Sequence, residues 1–361
     1  MSETRQSLIR VVKRTTIPNK TAYIIRGLAV LLALATGGLF ILALGHNPFE
    51  VYKSMITGAL GAKSALRETV KMSIPLCITA LGVTLAFKMK FWNIGGEGQI
   101  CIGATAATYF ALFHYDWPPY ILFPVMVIAS MLAGGIWGMI PAVFKAKFGT
   151  NETLFTLMLN YVASYFIQYL RMGPWMNPES AFPQIARFEK SARLPMLFGV
   201  HVGWIFALVL VVLVFVYLKY TKQGYELSVV GENENTARYA GMNVTKIIIR
   251  TAFLSAAICG LAGMLQATGA DKTLSEAVSG GAGFTAITIA WLSKLNPFAI
   301  LLVSFLFGML EKGSSTIQSL FNISTSAADV FQGIILFFVL GSEFFINFRI
   351  VFGKGGAQNV R

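Results

Sequence analysis

The stretch Gly27–Phe49, GLAVLLALATGGLFILALGHNPF, contains no Asp, Glu, Lys or Arg. About 20 apolar residues in a helix cross roughly 30 Å of hydrocarbon, so this run is long enough to span a membrane. Working outward, Trp117–Phe144 and Leu194–Leu218 are equally free of charge. Across all 361 residues, 55% are hydrophobic and only 12% charged. A soluble domain needs about 25% charged residues to present a polar shell to water. The sequence therefore predicts an all-α integral membrane protein, a polytopic bundle of roughly nine or ten transmembrane helices. Apolar runs between charged flanks place them near 27–45, 69–87, 97–113, 119–143, 152–171, 202–219, 247–269, 281–293, 297–312 and 327–347. The run 281–293 is too short to cross straight and opens on Gly280, Gly281 and Gly283. It reads as a half-helix or re-entrant segment, which is tolerated where backbone lines a cavity inside protein. The stretch Thr69–Thr105 also reads as broken, with Pro75 inside its first run and Gly95, Gly96 and Gly98 between runs.

The net charge of +13 is not gathered into one basic stripe with interleaved aromatics, so nucleic acid is not an expected partner. The basic residues fall in short blocks between apolar runs, the pattern of a positive-inside bias. That bias places the 1–26 segment, the 221–246 loop and the 349–361 tail in the cytoplasm, with the 172–201 loop outside. Residues 27–348 form the transmembrane domain between those ends, in a plasma membrane. Arg5, Arg10, Lys13, Arg14, Lys20 and Arg26 are too many charges for a cleavable signal peptide, and Gly27 onward reads as a retained first span. Cys77, Cys101 and Cys259 lie in apolar runs without C-x-x-C spacing, and His46, His114 and His201 stand apart, so neither a disulfide nor a metal site is expected.

No nucleotide-binding motif is present. Gly61-Ala62-Lys63-Ser64 lacks the leading glycine of a Walker A sequence. Gly281-x-Gly283-x-x-Ala286 has dinucleotide-fingerprint spacing but no strand before it and no βαβ unit around it. No cofactor is expected on this chain, and energy must come from a partner or an ion gradient. The polar residues inside apolar runs are the candidates for a solute pathway. Asn93, Glu97 and Gln99 follow Lys88 and Lys90 in the glycine-rich break. A half-helix start there aims N–H donors at a polar guest, or else Glu97 braces the broken helix. Asn160, with Gln168 two turns on, faces a pathway or bridges helices through its amide, and Gln266 is a further candidate.

The most patterned polar stretch is Thr221–Lys246, TKQGYELSVVGENENTARYAGMNVTK. Asn233 or Asn235 can cap a short helix, Glu234 suits its N-terminal end, and Gly241 can close it in the left-handed conformation. Such a helix presents Asn235, Thr236, Arg238 and Tyr239. It is either a lever for a motor domain or an amphipathic connector. Gly224-Tyr225-Glu226-Leu227, Val230-Gly231-Glu232-Asn233 and Ala237-Arg238-Tyr239-Ala240-Gly241-Met242 resemble the coupling loop of bacterial ABC importer permeases of the ribose/branched-chain amino acid superfamily. Within that superfamily the match is to the branch that serves nucleosides through a basic-membrane-protein-type binding lipoprotein. Phe91-Trp92-Asn93-Ile94-Gly95-Gly96-Glu97-Gly98-Gln99 resembles its FNIGVEGQ-like motif, departing at Trp92 and Gly96. Asn151-Glu152-Thr153 through Thr156-Leu157-Met158-Leu159-Asn160-Tyr161 resembles its NE-x-x-x-TLMLNY motif. The likeness extends over about residues 65–345. It implies an importer permease in a bacterial plasma membrane, with a second related permease, an ATPase subunit that binds ATP, and an external substrate-binding lipoprotein as partners. It also implies that Gly231, Glu232, Asn233, Asn235, Ala237, Arg238, Tyr239 and Gly241 couple to the ATPase. A sugar or another small polar solute fits the same residues. An ion-coupled transporter using Glu97 or Asp329 is the reading from a different class.

Overall fold

The computed structural model describes residues 9–13 and 18–352, so the two expected cytoplasmic ends lie partly outside the described residues. A strand β1 (Ile9–Lys13) precedes α1 (Asn19–Ala43), α2 (Pro48–Leu60), α3 (Lys63–Lys88), α4 (Gly96–Phe113), α5 (Pro119–Phe148) and α6 (Glu152–Met172). The hairpin β2 (Met196–Leu197) and β3 (Val200–His201) leads to α7 (Gly203–Tyr220), α8 (Lys222–Glu232), α9 (Glu234–Tyr239) and α10 (Val244–Leu265). A π-helical turn over Gln266–Asp271 extends α10. Then come α11 (Ala282–Leu292), α12 (Pro297–Phe321), α13 (Thr325–Asn347) and β4 (Phe348–Phe352).

Every one of the ten expected runs is a helix, and the protein is an all-α membrane protein. Among the described residues seven helices are long and apolar enough to cross a membrane: those of α1, α3, α5, α7, α10, α12 and α13. Helices α4 and α6 fall outside that set. Helix α11, with 11 residues, is the expected short segment. Helix α2 was not foreseen, and α3 runs unbroken through Pro75 as the span 69–87 implied. A proline inside a membrane helix is tolerated because neighbouring helices satisfy the groups it frees. The break lies after Lys88, between the two expected runs.

The chain divides into two compact units, residues 59–312 and the remainder. In the larger unit α10 is the central helix, packed against α3, α4 and α5. Small residues set these distances. A Cβ at Gly263 would sit 2.0 Å from the Ile100 carbonyl oxygen, and one at Gly103 2.2 Å from that of Gly260. Without a hydrophobic force between helices in lipid, such close backbone approach is what holds them together. In the smaller unit α1 packs on α13, Arg26 meets Glu343 at 2.6 Å, and β1 pairs antiparallel with β4.

The 172–201 segment is stitched over the end of α10. Phe188 N–H donates to the Lys272 carbonyl at 2.9 Å, Leu194 N–H to Thr268 at 3.2 Å, and Thr273 Oγ1 to Ile185 at 3.0 Å. His201 anchors the end of this cap. Its ring is fully buried and wedged between Gly203 and Gly269, and its Nδ1 accepts the Gly203 N–H at 3.3 Å. Burial, with the nearby Lys71 charge second, pushes the imidazole down from 6.5 to about 4. Between those two values the unfolded chain binds a proton that the folded chain refuses, so stability must fall as pH is lowered through that window. Melting of the detergent-solubilised protein at about pH 7 and about pH 4.5 checks this. The drop should be smaller by roughly 4 °C in His201→Asn than in the native chain.

Candidate functional site

The site grows out of the 89–95 break between α3 and α4. The chain turns at Lys90, which adopts φ 57°, and re-enters a helix at Gly96. A break inside a bundle leaves backbone polar groups needing partners. Helix α6 supplies them from two side chains one turn apart. Thr156 Oγ1 accepts the Ile94 N–H at 3.2 Å. Asn160 accepts the Gly98 N–H at 2.9 Å and donates to the Ile94 carbonyl at 3.0 Å. Asn93 and Gln99 pair through both amide groups, at 3.0 and 3.2 Å, and Asn93 also donates to Ser255 on α10 at 3.4 Å. Asn93, Gln99 and Asn160 are all buried, with their polar atoms engaged inside the chain. The start of α6 is fixed as well. Asn151 caps it through the Leu154 N–H, and Glu152 meets Lys145 at 2.9 Å.

Glu97 faces the other way. Its two carboxylate oxygens accept the N–H groups of Gly281 at 2.9 Å and Gly283 at 2.7 Å. These are the first backbone donors of α11, whose positive N-terminal end favours an anion. Gly281 has φ 79°, the left-handed residue that ends the series of turns over 275–281 and starts the half-helix. At the far end of α11 the Trp291 ring stacks on Trp92 at 5.6 Å, with Phe87 against both. Both ends of the short helix are thus fastened to the 87–97 turn. Gln266 lies elsewhere, donating to Asp271 at 3.1 Å in the π turn beneath the cap.

The 221–246 loop joins the same turn. Asn233 is the N-cap of α9, accepting from Asn235 at 2.8 Å and Thr236 at 3.2 Å. The helix ends in a Schellman motif. Met242 N–H reaches the Ala237 carbonyl, Gly241 N–H reaches that of Arg238, and Gly241 carries φ 77°. Ala237 is buried, while Asn235, Thr236, Arg238 and Tyr239 are exposed, Tyr239 at 93%. Gly231 on α8 lies so close to the 88–89 backbone that a Cβ would approach the Lys88 carbonyl oxygen at 2.1 Å. Lys90 Nζ donates to the Glu232 carbonyl at 3.4 Å, and Glu226 pairs with Arg250 of α10 at 3.1 Å. The expected loop residues and the break residues therefore form one connected body, which their separation in sequence conceals.

A family model described as branched-chain amino acid transport system / permease component matches residues 66–340. The chain belongs to this permease family. The permease is 34% identical over 350 residues to the glucose ABC transporter permease protein TsgB13 of Haloferax volcanii, covering 93% of this chain and 92% of that one. It is 32% identical over 336 residues to the guanosine ABC transporter permease protein NupP of Bacillus subtilis, covering 91% and 94%. A third relative is the nucleoside ABC transporter permease protein NupB of Lactococcus lactis, 28% identical over 309 residues and covering 82% and 85%. A permease of this family is a transport subunit, not an enzyme.

The carboxylate clamp can be tested by charge and by shape. Glu97→Gln keeps an acceptor for one N–H of α11, whereas Glu97→Ala leaves both donors unmatched. The alanine variant should melt earlier in detergent, at a cost of about 2 kcal/mol, with the glutamine variant between it and the native permease. Identical melts for all three would overturn the clamp.

Proposed function

We propose that the permease is the membrane subunit of an ATP-binding cassette importer that takes up nucleosides, working beside a second related permease, an ATPase and an external binding lipoprotein. The observation that carries the coupling is the continuous path from α9 through Gly231 and the Lys88–Lys90 turn to Glu97 and the start of α11. A short helix fixed by caps at both ends transmits a push without unwinding. The contact of Gly231 on the Lys88 carbonyl passes that displacement into the break, and Glu97 passes it to the half-helix.

In this reading the 221–246 loop and both chain ends face the cytoplasm of a bacterial cell, and the 172–201 cap faces outward to the binding lipoprotein. Antiparallel pairing of β1 with β4 supports termini on one side. In this reading Asn93, Glu97, Gln99 and Asn160 brace the break beside the pathway with their polar atoms spent on the protein, and Gln266 braces the turn beneath the outer cap. Nucleosides are favoured by the printed functions of NupP and NupB, and a sugar is the second reading because TsgB13 is named for glucose.

Cells with and without this permease should differ in uptake of labelled nucleosides. Unchanged nucleoside uptake together with lost glucose uptake would replace the first reading by the second. Gly241→Val forces a β-branched side chain into a left-handed turn. It should reduce substrate-stimulated ATP hydrolysis by roughly tenfold or more in the assembled importer while leaving membrane insertion intact. Normal stimulation in that variant would count against α9 as the coupling element.

A further inference from the structure

The far side of α6 is unexplained by the break it supports. Thr156 and Asn160 point inward, but Tyr161, Tyr165 and Tyr169 follow at four-residue spacing on the opposite face, 57%, 67% and 64% exposed. Each ring stands about 6 Å above the last. Helix α6 packs on α4 and α5 with its other side. Among the described residues none of the three phenol groups has a hydrogen-bond partner. A tyrosine at a membrane boundary rests its hydroxyl in the headgroups, and Tyr169, near Arg171, fits that position. Tyr161 does not, because it lies roughly 14 Å from the start of α6 and roughly 16 Å from its end. A phenol held at that depth against hydrocarbon is unsatisfied and costly.

The exposed stripe is mixed, with Leu154, Met158, Val162 and Phe166 exposed beside the tyrosines, and polar and aromatic neighbours gather at its Tyr161–Tyr169 half. Ser164 and Gln168, on the shoulder of the same face, are half-exposed. Cys101 on α4 is within reach of Ser164 and donates to Ser279 at 3.8 Å, so α6, α4 and the segment leading into α11 meet along one seam. At the cap end the aromatic surface continues in Tyr109, tilted against Trp175 at 6.5 Å, and Phe113, edge-on to it at 6.0 Å.

We infer that Tyr161 and Tyr165 line the solute path and hold the passing solute by ring stacking, with their hydroxyls offered to its polar edge. This rests on the importer reading above and names its specificity-determining residues. The chemical class it selects is a neutral solute with a planar ring, a nucleobase carried on a sugar. A flat aromatic step grips any base by its face and demands no charge.

The test uses the assembled importer in proteoliposomes with labelled nucleosides. Tyr165→Leu should raise the KM for uptake roughly tenfold, and Tyr161→Leu similarly, while Tyr165→Phe, which keeps the ring, stays within about threefold of the native value. A second measurement covers variants that assemble poorly. Cys77, Cys101 and Cys259 are buried, so a Tyr165→Cys substitution introduces the accessible thiol. It should react with a water-soluble, membrane-impermeant maleimide, and saturating nucleoside should slow that reaction. A nucleoside-transporting native importer with unchanged KM in the leucine variants and an unreactive Tyr165→Cys overturns the inference in favour of a lipid-facing helix. Loss of co-purification with the second permease in Tyr165→Leu overturns it in favour of a subunit contact. A native importer that moves no nucleoside overturns the substrate reading itself and the stacking role with it.

Discussion

A carboxylate whose two oxygens both accept backbone N–H groups of another segment is the fixed point of this permease. Glu97 opens α4 and closes the start of α11, so one side chain joins two elements separated by 184 residues at Gly281 and 186 at Gly283. A half-helix inside a membrane bundle presents unmatched donors and a positive end that lipid cannot answer. With the carboxylate in place the segment 272–292 can turn back within the protein instead of crossing as a regular span. The surrounding inventory follows from that requirement. Gly283 must be small because a Cβ there would lie 2.2 Å from the Glu97 backbone nitrogen. The inward amides of Asn93, Gln99 and Asn160 serve the backbone on the other side of the same break.

Much of the fold was legible because its determinants are local. Run length, charged flanks and capping residues each act within a few positions, and all ten runs became helices. The N-cap role of Asn233 and the left-handed turn at Gly241 were readable for the same reason. Pro75 did not interrupt the reading because the apolar run continues on both sides of it to the charged flank at Lys88. Helix α2 was missed because its charged residues Glu50 and Lys53 interrupt the apolar signal.

The site was legible as a set of residues and not as an arrangement. Asn93, Glu97 and Gln99 alternate along one short stretch, and sequence offers no way to tell that the two amides pair with each other, Asn93 also reaching Ser255, while the acid turns toward Gly281. Thr156 and Asn160, by contrast, sit four residues apart on a helix, so their shared face was implicit in the spacing. The tyrosines of the opposite face carried no polar signal in an apolar count. Only their exposure on a packed helix gives them meaning.

The smaller unit has a consequence for how the protein is made. Its two halves are the first and last parts of the chain, joined by the β1–β4 ladder and by Arg26 with Glu343. During synthesis α1 is delivered to the membrane long before α13 exists, and the guanidinium of Arg26 cannot meet its carboxylate until nearly all of the chain has emerged. Residues 59–312 form a compact unit of their own that precedes the last helix in the chain. Biogenesis therefore has a built-in order in which the first helix is held in reserve. A chain truncated before Glu343 would retain the break, its clamp and the Tyr52 contact on α1, but lack the Arg26 ion pair and the β1–β4 ladder.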